Sequence, residues 1–513
     1  MLPRVLLAAL LAMAAAAPVT RAESTDLRTP PPAATPRLTG PTIFGVRPGA
    51  PFLFTLTATG ERPMTFAAEG LPSGLQLDAA TGRITGQLPQ AGEFAVRVRA
   101  ANARGHAERK LRLVCGDRIA LTPPLGWNSW NSWAAAVDQD KVMRSARALV
   151  ASGLANHGWT YVNIDDTWQG ERGGAHGGIL ANGKFPDMQK LCADLHALGL
   201  KAGIYSTPWV TSYAGFRGGT ADAADGAWRK VEGYAEYSKN HRLGQFSFAK
   251  NDAAQWADWG FDYLKYDWNP NDLPHTREMA EALRATGRDI VFSLSNSAPF
   301  ADIAELSKYA NAWRTTGDII DAWQPPTPEA WQNSVSEIGF NQDRWVPYGG
   351  PGHWSDPDML VVGWVGWGPQ LHPTKLTPAE QYSHISLWAL LSAPMLIGCD
   401  LDRLDDLTLN VLSNDEVIDL NQDALGVPAR RVATLGAIDV YRKPLEDGSV
   451  ALGFFNRGDQ PHQAAVLLER LDAPTRCQVR DVWHQRDLPI AEKTLDVTVA
   501  PHDVVLYRIS AAK

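Results

Sequence analysis

The sequence predicts a multi-domain chain: a (β/α)8 TIM barrel between two β-sandwiches. Three observations carry that prediction. Between about residues 119 and 415, short apolar runs alternate with segments of helical period. On either side of that stretch the helical period fades, and short alternating runs remain, separated on the N-terminal side by Gly and Pro turns. Polar residues gather at the C-terminal ends of the middle runs, the rim where barrels of this kind keep their chemistry.

The chain has 513 residues, 45% of them hydrophobic, enough for several domains with their own cores. Residues 1–22 read as a signal peptide: Arg4 precedes an apolar run, and Thr20-Arg21-Ala22 places small residues at the cleavage site. Its removal deletes Arg4 and Arg21 and no acid, which takes the net charge from −8 to −10. No other segment approaches the roughly 18 uninterrupted apolar residues of a membrane span. The expectation is an exported protein, periplasmic or extracellular, with no membrane insertion after cleavage. The acidic balance and the lack of basic runs argue against a nucleic-acid partner.

Residues 23–40, "ESTDLRTPPPAATPRLTG", are rich in Pro and Thr and read as a linker. In 41–116 the runs "FLFTL", "GLQLD", "FAVRVRA" and "RKLRLV" are split by turn residues, the pattern of a small β-sandwich. Its "LPSGLQLDAATGRITG" resembles Ig-like modules carried by secreted bacterial enzymes, and the module reads as a spacer or docking unit rather than a sugar binder.

Eight strand candidates fall in 119–415: "PLGWNSW", "YVNIDD", "KAGIYS", "YLKYDW", "IVFSLSN", "NAWRTTGD", "GGPGHWSDPD" and "PMLIGCD". Helix-like stretches such as "DKVMRSARALVASGL" and "DMQKLCADLHALGL" lie between them. From 425 to 511, "AIDVYRKP", "SVALGFFN", "QAAVLLER" and "DVVLYRI" predict an antiparallel C-terminal β-sandwich with a structural role. The four cysteines, at 115, 192, 399 and 477, show no metal-ligand spacing and read as unpaired or incidentally bridged. The 19 Trp are many; packing is their ordinary use, and sugar stacking is a second use near loops.

The rim residues suggest the chemistry. "NIDDTW" sets two carboxylates where a strand bends into a loop; the plain alternative is a helix cap and a solvated acid. In "YLKYDW", Lys265 and Asp267 share one face of a strand, and a cation beside it would keep Asp267 ionised; a structural ion pair explains them equally well. "WRTTGDI" offers Arg314, a donor for hydroxyls, and Asp318, a second carboxylate across the barrel. "HWSDPDML" holds two more acids about the fixed Pro357, one to face the pocket and one to hold the loop. There is no GxGxxG, GxxxxGKS or HExxH, so metal hydrolysis lacks obvious imidazole ligands. Acids with aromatics point to glycoside hydrolysis by two carboxylates.

"PPLGWNSW", "NIDDTW", "GIYS", "LKYD", "WRTTGDI" and "DPDML", in that order, resemble glycoside hydrolase family 27, the α-galactosidase and α-N-acetylgalactosaminidase family. The resemblance spans about 120–508 and implies a retaining mechanism on α-galactosides, with Asp267 as nucleophile and Asp318 as general acid/base. It implies carboxyls about 5–5.5 Å apart, and a raised pKa at Asp318 so that it rests protonated. It maps sugar contacts onto Trp130, Asp165, Asp166, Tyr205, Lys265, Arg314 and Asp358, and implies no metal or organic cofactor. Two departures stand out. Where many relatives carry a disulfide this chain has Tyr213 and Asn269, and the loop after the third strand is long, which bears on the leaving-group side. Near the sugar's 2-position the small pair Ser295 and Ala298 replaces the larger pair of α-galactosidases and resembles the α-N-acetylgalactosaminidase pattern. The functions kept open are therefore α-galactosidase first, then α-N-acetylgalactosaminidase or β-L-arabinopyranosidase. A carbohydrate-binding protein that has lost activity is the reading from another class.

Overall fold

Each of the eight barrel runs contains a parallel strand: β1 (Leu125–Asn128), β2 (Tyr161–Asn163), β3 (Lys201–Ser206), β4 (Tyr263–Asp267), β5 (Val291–Ser295), β6 (Ala312–Arg314), β7 (Trp354–Asp356) and β8 (Met395–Ile397). They form one sheet in the order β7-β6-β5-β4-β3-β2-β1-β8. The sheet curls until Leu360, just past β7, bridges in parallel to Ile397 of β8. The closing bonds run from Leu360 N–H to the Leu396 carbonyl at 2.8 Å and from Gly398 N–H to the Leu360 carbonyl at 3.0 Å. The structure, a computed structural model, describes residues 26–327 and 332–512; the segment read as a signal peptide lies outside the described residues.

The strands are buried on both faces, which is why they read as nearly continuous apolar runs instead of alternating ones. Close packing of β2 on β3 explains one glycine: a Cβ at Gly203 would meet Asn163 Oδ1 at 2.0 Å. The crossover helices start on side-chain caps. Asp138 accepts from Lys141 N–H ahead of α1 (Gln139–Ala151), Asp187 from Lys190 N–H ahead of α2 (Met188–Ala197), and Asp272 from His275 N–H ahead of α4 (Leu273–Ala285). The helix between the last two, α3 (Ala249–Trp259), follows the long loop after β3. After β7, α5 (Pro378–Leu390) opens with a Thr377–Glu380 capping box and is buried on nearly every face. A helix buried all round must lie between two layers; this one separates the barrel from the C-terminal sheet, where Trp483 Nε1 donates to Ser386 Oγ at 2.8 Å.

The N-terminal sandwich packs a four-stranded sheet and a three-stranded sheet around Phe52, Phe54, Ile84, Val96, Val98, Leu111 and Leu113. The C-terminal sandwich has a six-stranded antiparallel sheet and a two-stranded one, as the alternating runs predict. All four cysteines are free and buried.

The segment read as a linker is docked wherever it is described. Arg28 pairs with Asp503 through two hydrogen bonds of 2.8 and 2.7 Å, and Thr29 Oγ1 donates to the Asn410 carbonyl at 2.8 Å. Arg37–Thr39 is a strand paired with Thr57–Thr59, so the sandwich begins before residue 41. Proline richness blocks helices and inner strands but does not prevent a chain from lying in a groove through side chains and carbonyls. The sandwich sits on the N-terminal face of the barrel, opposite the C-terminal ends of its strands. Arg47 binds Asp289 just before β5 at 2.5 Å, and Thr55 Oγ1 donates to the Gly199 carbonyl before β3 at 2.9 Å. Lys201 Nζ lies 4.6 Å from the centre of the Phe44 ring. Docking unit, not swinging spacer, describes it.

Candidate active site

The C-terminal ends of the strands surround a cleft of about 840 Å3. Its lining includes Trp130, Asp165, Asp166, Tyr205, Lys265, Asp267 and Asp318, seven of the residues singled out from the sequence. The volume lies toward the upper end of the ~300–1,000 Å3 typical of small-molecule sites.

Local chain geometry explains how each arrives. β2 ends at Asn163, so Asp165 and Asp166 belong to the bend beyond it and both reach the site. Tyr205 stands opposite Lys265 across β3 and β4, and its hydroxyl donates to Asp267 Oδ2 at 2.9 Å. The other oxygen of Asp267 is buried with no hydrogen-bond partner, so it is free to react. Trp130 opens a short helix beyond β1. Asp318 lies four residues past Arg314, with its side chain 32% exposed.

The lysine has a different partner from the one its strand position suggests. Lys265 Nζ donates to Asp165 Oδ2 at 2.8 Å, and no ion pair joins it to Asp267 among the described residues. Burial opposes the lysine's charge, but the carboxylates of Asp165 and Asp267 outweigh it and raise its pKa. At Asp267 burial is the largest influence and pushes the carboxyl up to about 7; the charges of Asp318 and Asp165 add to this, while Lys265 and the Tyr205 hydrogen bond oppose it. The lysine therefore moderates the shift without cancelling it.

Asp166 is more committed than a bare sugar acceptor. Its Oδ1 accepts from Thr167 N–H at 2.6 Å and Gln169 Nε2 at 3.0 Å, and its Oδ2 accepts from Ala214 N–H at 3.1 Å, tying the long loop after β3 to the end of β2. Burial raises its pKa despite these bonds.

Arg314 and Asp358 lie below the cleft, both nearly fully buried and paired at 2.8 Å. The guanidinium also donates to the Gly317 carbonyl at 2.7 Å and to Asp318 Oδ1 at 3.3 Å, while Asp358 Oδ2 accepts from Ile319 N–H at 2.9 Å. Together they brace the turn that presents Asp318, and Arg314 Nε is left buried without a partner among the described residues. Asp356 is buried with them and pushed up to about 6, chiefly by that burial.

Ser295 and Ala298 do not line the cleft. Both are buried, Ala298 in the barrel's apolar core and Ser295 beside the small interior cavity under Lys265. The residues between them, Asn296 and Ser297, line the site instead, in left-handed backbone at φ 59° and 70°. A strand-end turn with two such residues rotates side chains away from the alternation a strand would give, so a spacing of three carried no positional information there.

Sequence reasoning also passed over Tyr213, Tyr234, Gln332 and Trp367 as lining residues. Tyr213 had entered only as a replaced cysteine. It lies near both acids: after burial, the charges of Asp267 and Asp318 are what raise its hydroxyl's pKa, and its side chain meets that of Asn296. The run of aromatics in the loop after β3 was the available signal. The Trp excess proved mostly structural, since ten tryptophans are among the largest fully buried side chains while Trp130 and Trp367 line the cleft.

Comparison with known proteins agrees with this layout. The Alpha galactosidase A family model matches residues 122–238 and 233–423, its C-terminal beta sandwich domain matches 435–509, and an Ig-domain model matches 34–114. An α-galactosidase of Oryza sativa is 35% identical over 82% of this chain and 92% of its own length. Alpha-galactosidase A of Cellvibrio japonicus is 36% identical, over 77% and 93%. A crystal structure from Bacteroides fragilis, 32% identical with a TM-score of 0.83, covers 94% of this chain and 99% of that one, N-terminal module included. The barrel and its two flanking sandwiches thus occur here in the same order, and the chain belongs to the α-galactosidase family of glycoside hydrolases.

Proposed function

We propose that this protein is an exported, retaining α-galactosidase that removes terminal α-linked galactose through a covalent glycosyl-enzyme intermediate. The observation that carries the reading is the pair of acids in one cleft, Asp267 with an unpartnered oxygen and Asp318 partly open to solvent. In the first step an Asp267 oxygen attacks the anomeric carbon while Asp318 gives its proton to the glycosidic oxygen, and the bond to the leaving group breaks. In the second, Asp318 takes a proton from water, the water oxygen attacks the same carbon, and the ester to Asp267 breaks. Galactose leaves with its original configuration, and Asp318 is again protonated.

The cycle needs one proton on the pair, held by Asp318, with Asp267 ionised. Burial, with the charges of Asp318 and Asp165 beside it, holds Asp267 up to about 7, so the carboxylate that attacks is present above that pH. Asp165, with one oxygen on Lys265 and the other on Asp166 N–H, retains lone pairs for a sugar hydroxyl. Galactose is preferred to N-acetylgalactosamine because the small pair that suggested an acetamido pocket, Ser295 and Ala298, is buried away from the cleft.

Kinetics on nitrophenyl α-galactoside, α-N-acetylgalactosaminide and β-L-arabinopyranoside test the substrate, and NMR of the first-formed anomer tests the stereochemistry. Fastest turnover of α-galactoside with release of α-galactose is the expected result. Turnover of α-N-acetylgalactosaminide alone, or release of the β-anomer, would overturn it. Export rests on the composition of residues 1–22; a mature N-terminus at residue 23 in protein recovered outside the cytoplasm is the expected result.

A further inference from the structure

The cleft is wider than its catalytic carboxylates need, and one wall is built from the long loop after β3. Trp209 and His241 stack with ring centroids 5.0 Å apart and planes 13° from parallel. Tyr213 packs against both, at 5.0 and 5.2 Å. His241 also meets Tyr237 and Tyr234, at 6.0 and 6.1 Å, and those two tyrosines meet edge to face at 5.5 Å. The loop is pinned beneath: His241 Nε2 lies 3.1 Å from the Ser212 carbonyl, and Thr211 Oγ1 donates to the Tyr237 carbonyl at 3.1 Å.

This aromatic wall has direction. Its inner end, Tyr213, lies within the fields of Asp267 and Asp318. Its outer end, Tyr234, follows Gly233 at φ 86°, lines the cleft and is 66% exposed, the most exposed large hydrophobic side chain among the described residues. Aromatic rings are normally covered, and a ring held in solvent by packing at its edge offers a rigid face to a ligand. In the reading above, which this inference rests on, Asp318 protonates the leaving oxygen, so whatever departs lies on the Asp318 side. Tyr213, Asn296, Gly317 and Gln332 line the cleft around it.

We infer that Tyr234 is the stacking platform for the leaving group, and that this group is itself a sugar ring. A pyranose presents an apolar C–H face to an aromatic ring and hydroxyls at its edge; Gln332 and Asn296 supply amides for those hydroxyls.

The test compares a galactosyl disaccharide with α-galactosyl fluoride, whose leaving group is a single atom and reaches no platform. For Tyr234→Ala the ratio of kcat/KM on the disaccharide to that on the fluoride falls about tenfold, mostly through KM, and Tyr234→Trp restores most of it. An unmoved ratio, with both substrates affected alike or neither affected, overturns the platform and leaves Tyr234 a loop-packing residue. A wild-type enzyme inert on both substrates removes the α-galactosidase reading, and the platform with it.

Discussion

Lys265 and Asp165 form a salt bridge of 2.8 Å that spans β3, joining the end of β2 to β4 just ahead of the putting-forward of Asp267. The bridge fixes the lysine, and through it the field at Asp267. The lysine lowers the pKa of Asp267 against the larger upward push of burial. Removing the cation in Lys265→Met therefore raises that pKa further. In the proposed mechanism Asp267 attacks as the carboxylate, so the acid limb of the kcat/KM profile is expected to move to higher pH. A limb that stays in place or moves down would show that the lysine's charge is not felt at Asp267. The limb reports the pair of acids, so its displacement is the quantity to compare.

Asp267→Asn separates chemistry from stability. Turnover falls by at least about 10³-fold, because an amide cannot form the ester. Folding responds the other way. Asp267 titrates near 7 in the folded chain, against about 3.9 unfolded. Between those values the folded state holds a proton that the unfolded state has released, so the wild type loses stability as pH rises through the window. Asparagine has nothing to ionise. The variant is more stable than wild type at pH 8, by on the order of 2–4 kcal/mol, and the difference closes toward pH 4. Denaturant titrations at the two pH values measure it.

Asp318→Ala and Asp267→Gly give opposite products with azide. Without the acid/base, a substrate with an activated aryl leaving group still forms the glycosyl-enzyme, and azide then attacks it to give α-galactosyl azide. Without the nucleophile, azide takes its place and gives the β-anomer. Loss on unactivated substrates is about 10²–10⁴-fold for Asp318→Ala. Proton NMR assigns the anomers; the same anomer from both variants would contradict the roles given to the two acids.

Much of this layout was legible in the sequence because it depends on order and period. Eight apolar runs alternating with helical ones gave eight strands, since a buried parallel strand needs an apolar residue at nearly every position. Lys265 and Asp267 share a face through the two-residue period of β4, which holds inside a strand, and Tyr205, implied by the family resemblance, stands opposite Lys265 on β3. What failed lay where that period ends. Asn296 and Ser297 take left-handed backbone and line the cleft, while Ser295 and Ala298, taken from the family resemblance, are not among its lining residues. The partner of Lys265 was illegible for another reason: Asp165 is 100 residues away, and only closure of the barrel brings it nearer than Asp267, two residues along. Asp267 is only 4% exposed although it ends a strand at the barrel mouth, and its raised pKa is the consequence of that burial.

Arg47 and Asp289 test whether the N-terminal sandwich is energetically part of the barrel. Arg47 Nε donates to Asp289 Oδ1 at 2.5 Å, its backbone N–H donates to Oδ2 at 2.9 Å, and its Nη2 donates to the Arg288 carbonyl at 2.5 Å. Both side chains are mostly buried, at 14% and 16% exposure, so the pair is poorly screened by water. All 19 tryptophans lie outside residues 26–116. Tryptophan fluorescence thus reports the barrel and the C-terminal sandwich and ignores the module. If the module is only tethered, Arg47→Ala leaves the fluorescence transition in place. If the interface is shared, the substitution removes charge-assisted bonds that the barrel also relies on and destabilises it by about 1–3 kcal/mol. The structure calls for the second outcome. Asp289→Ala alone should give a similar loss, and the double variant less than the sum, because the two act through one contact. Circular dichroism of the same samples should show one transition coincident with the fluorescence, as expected when module and barrel unfold together.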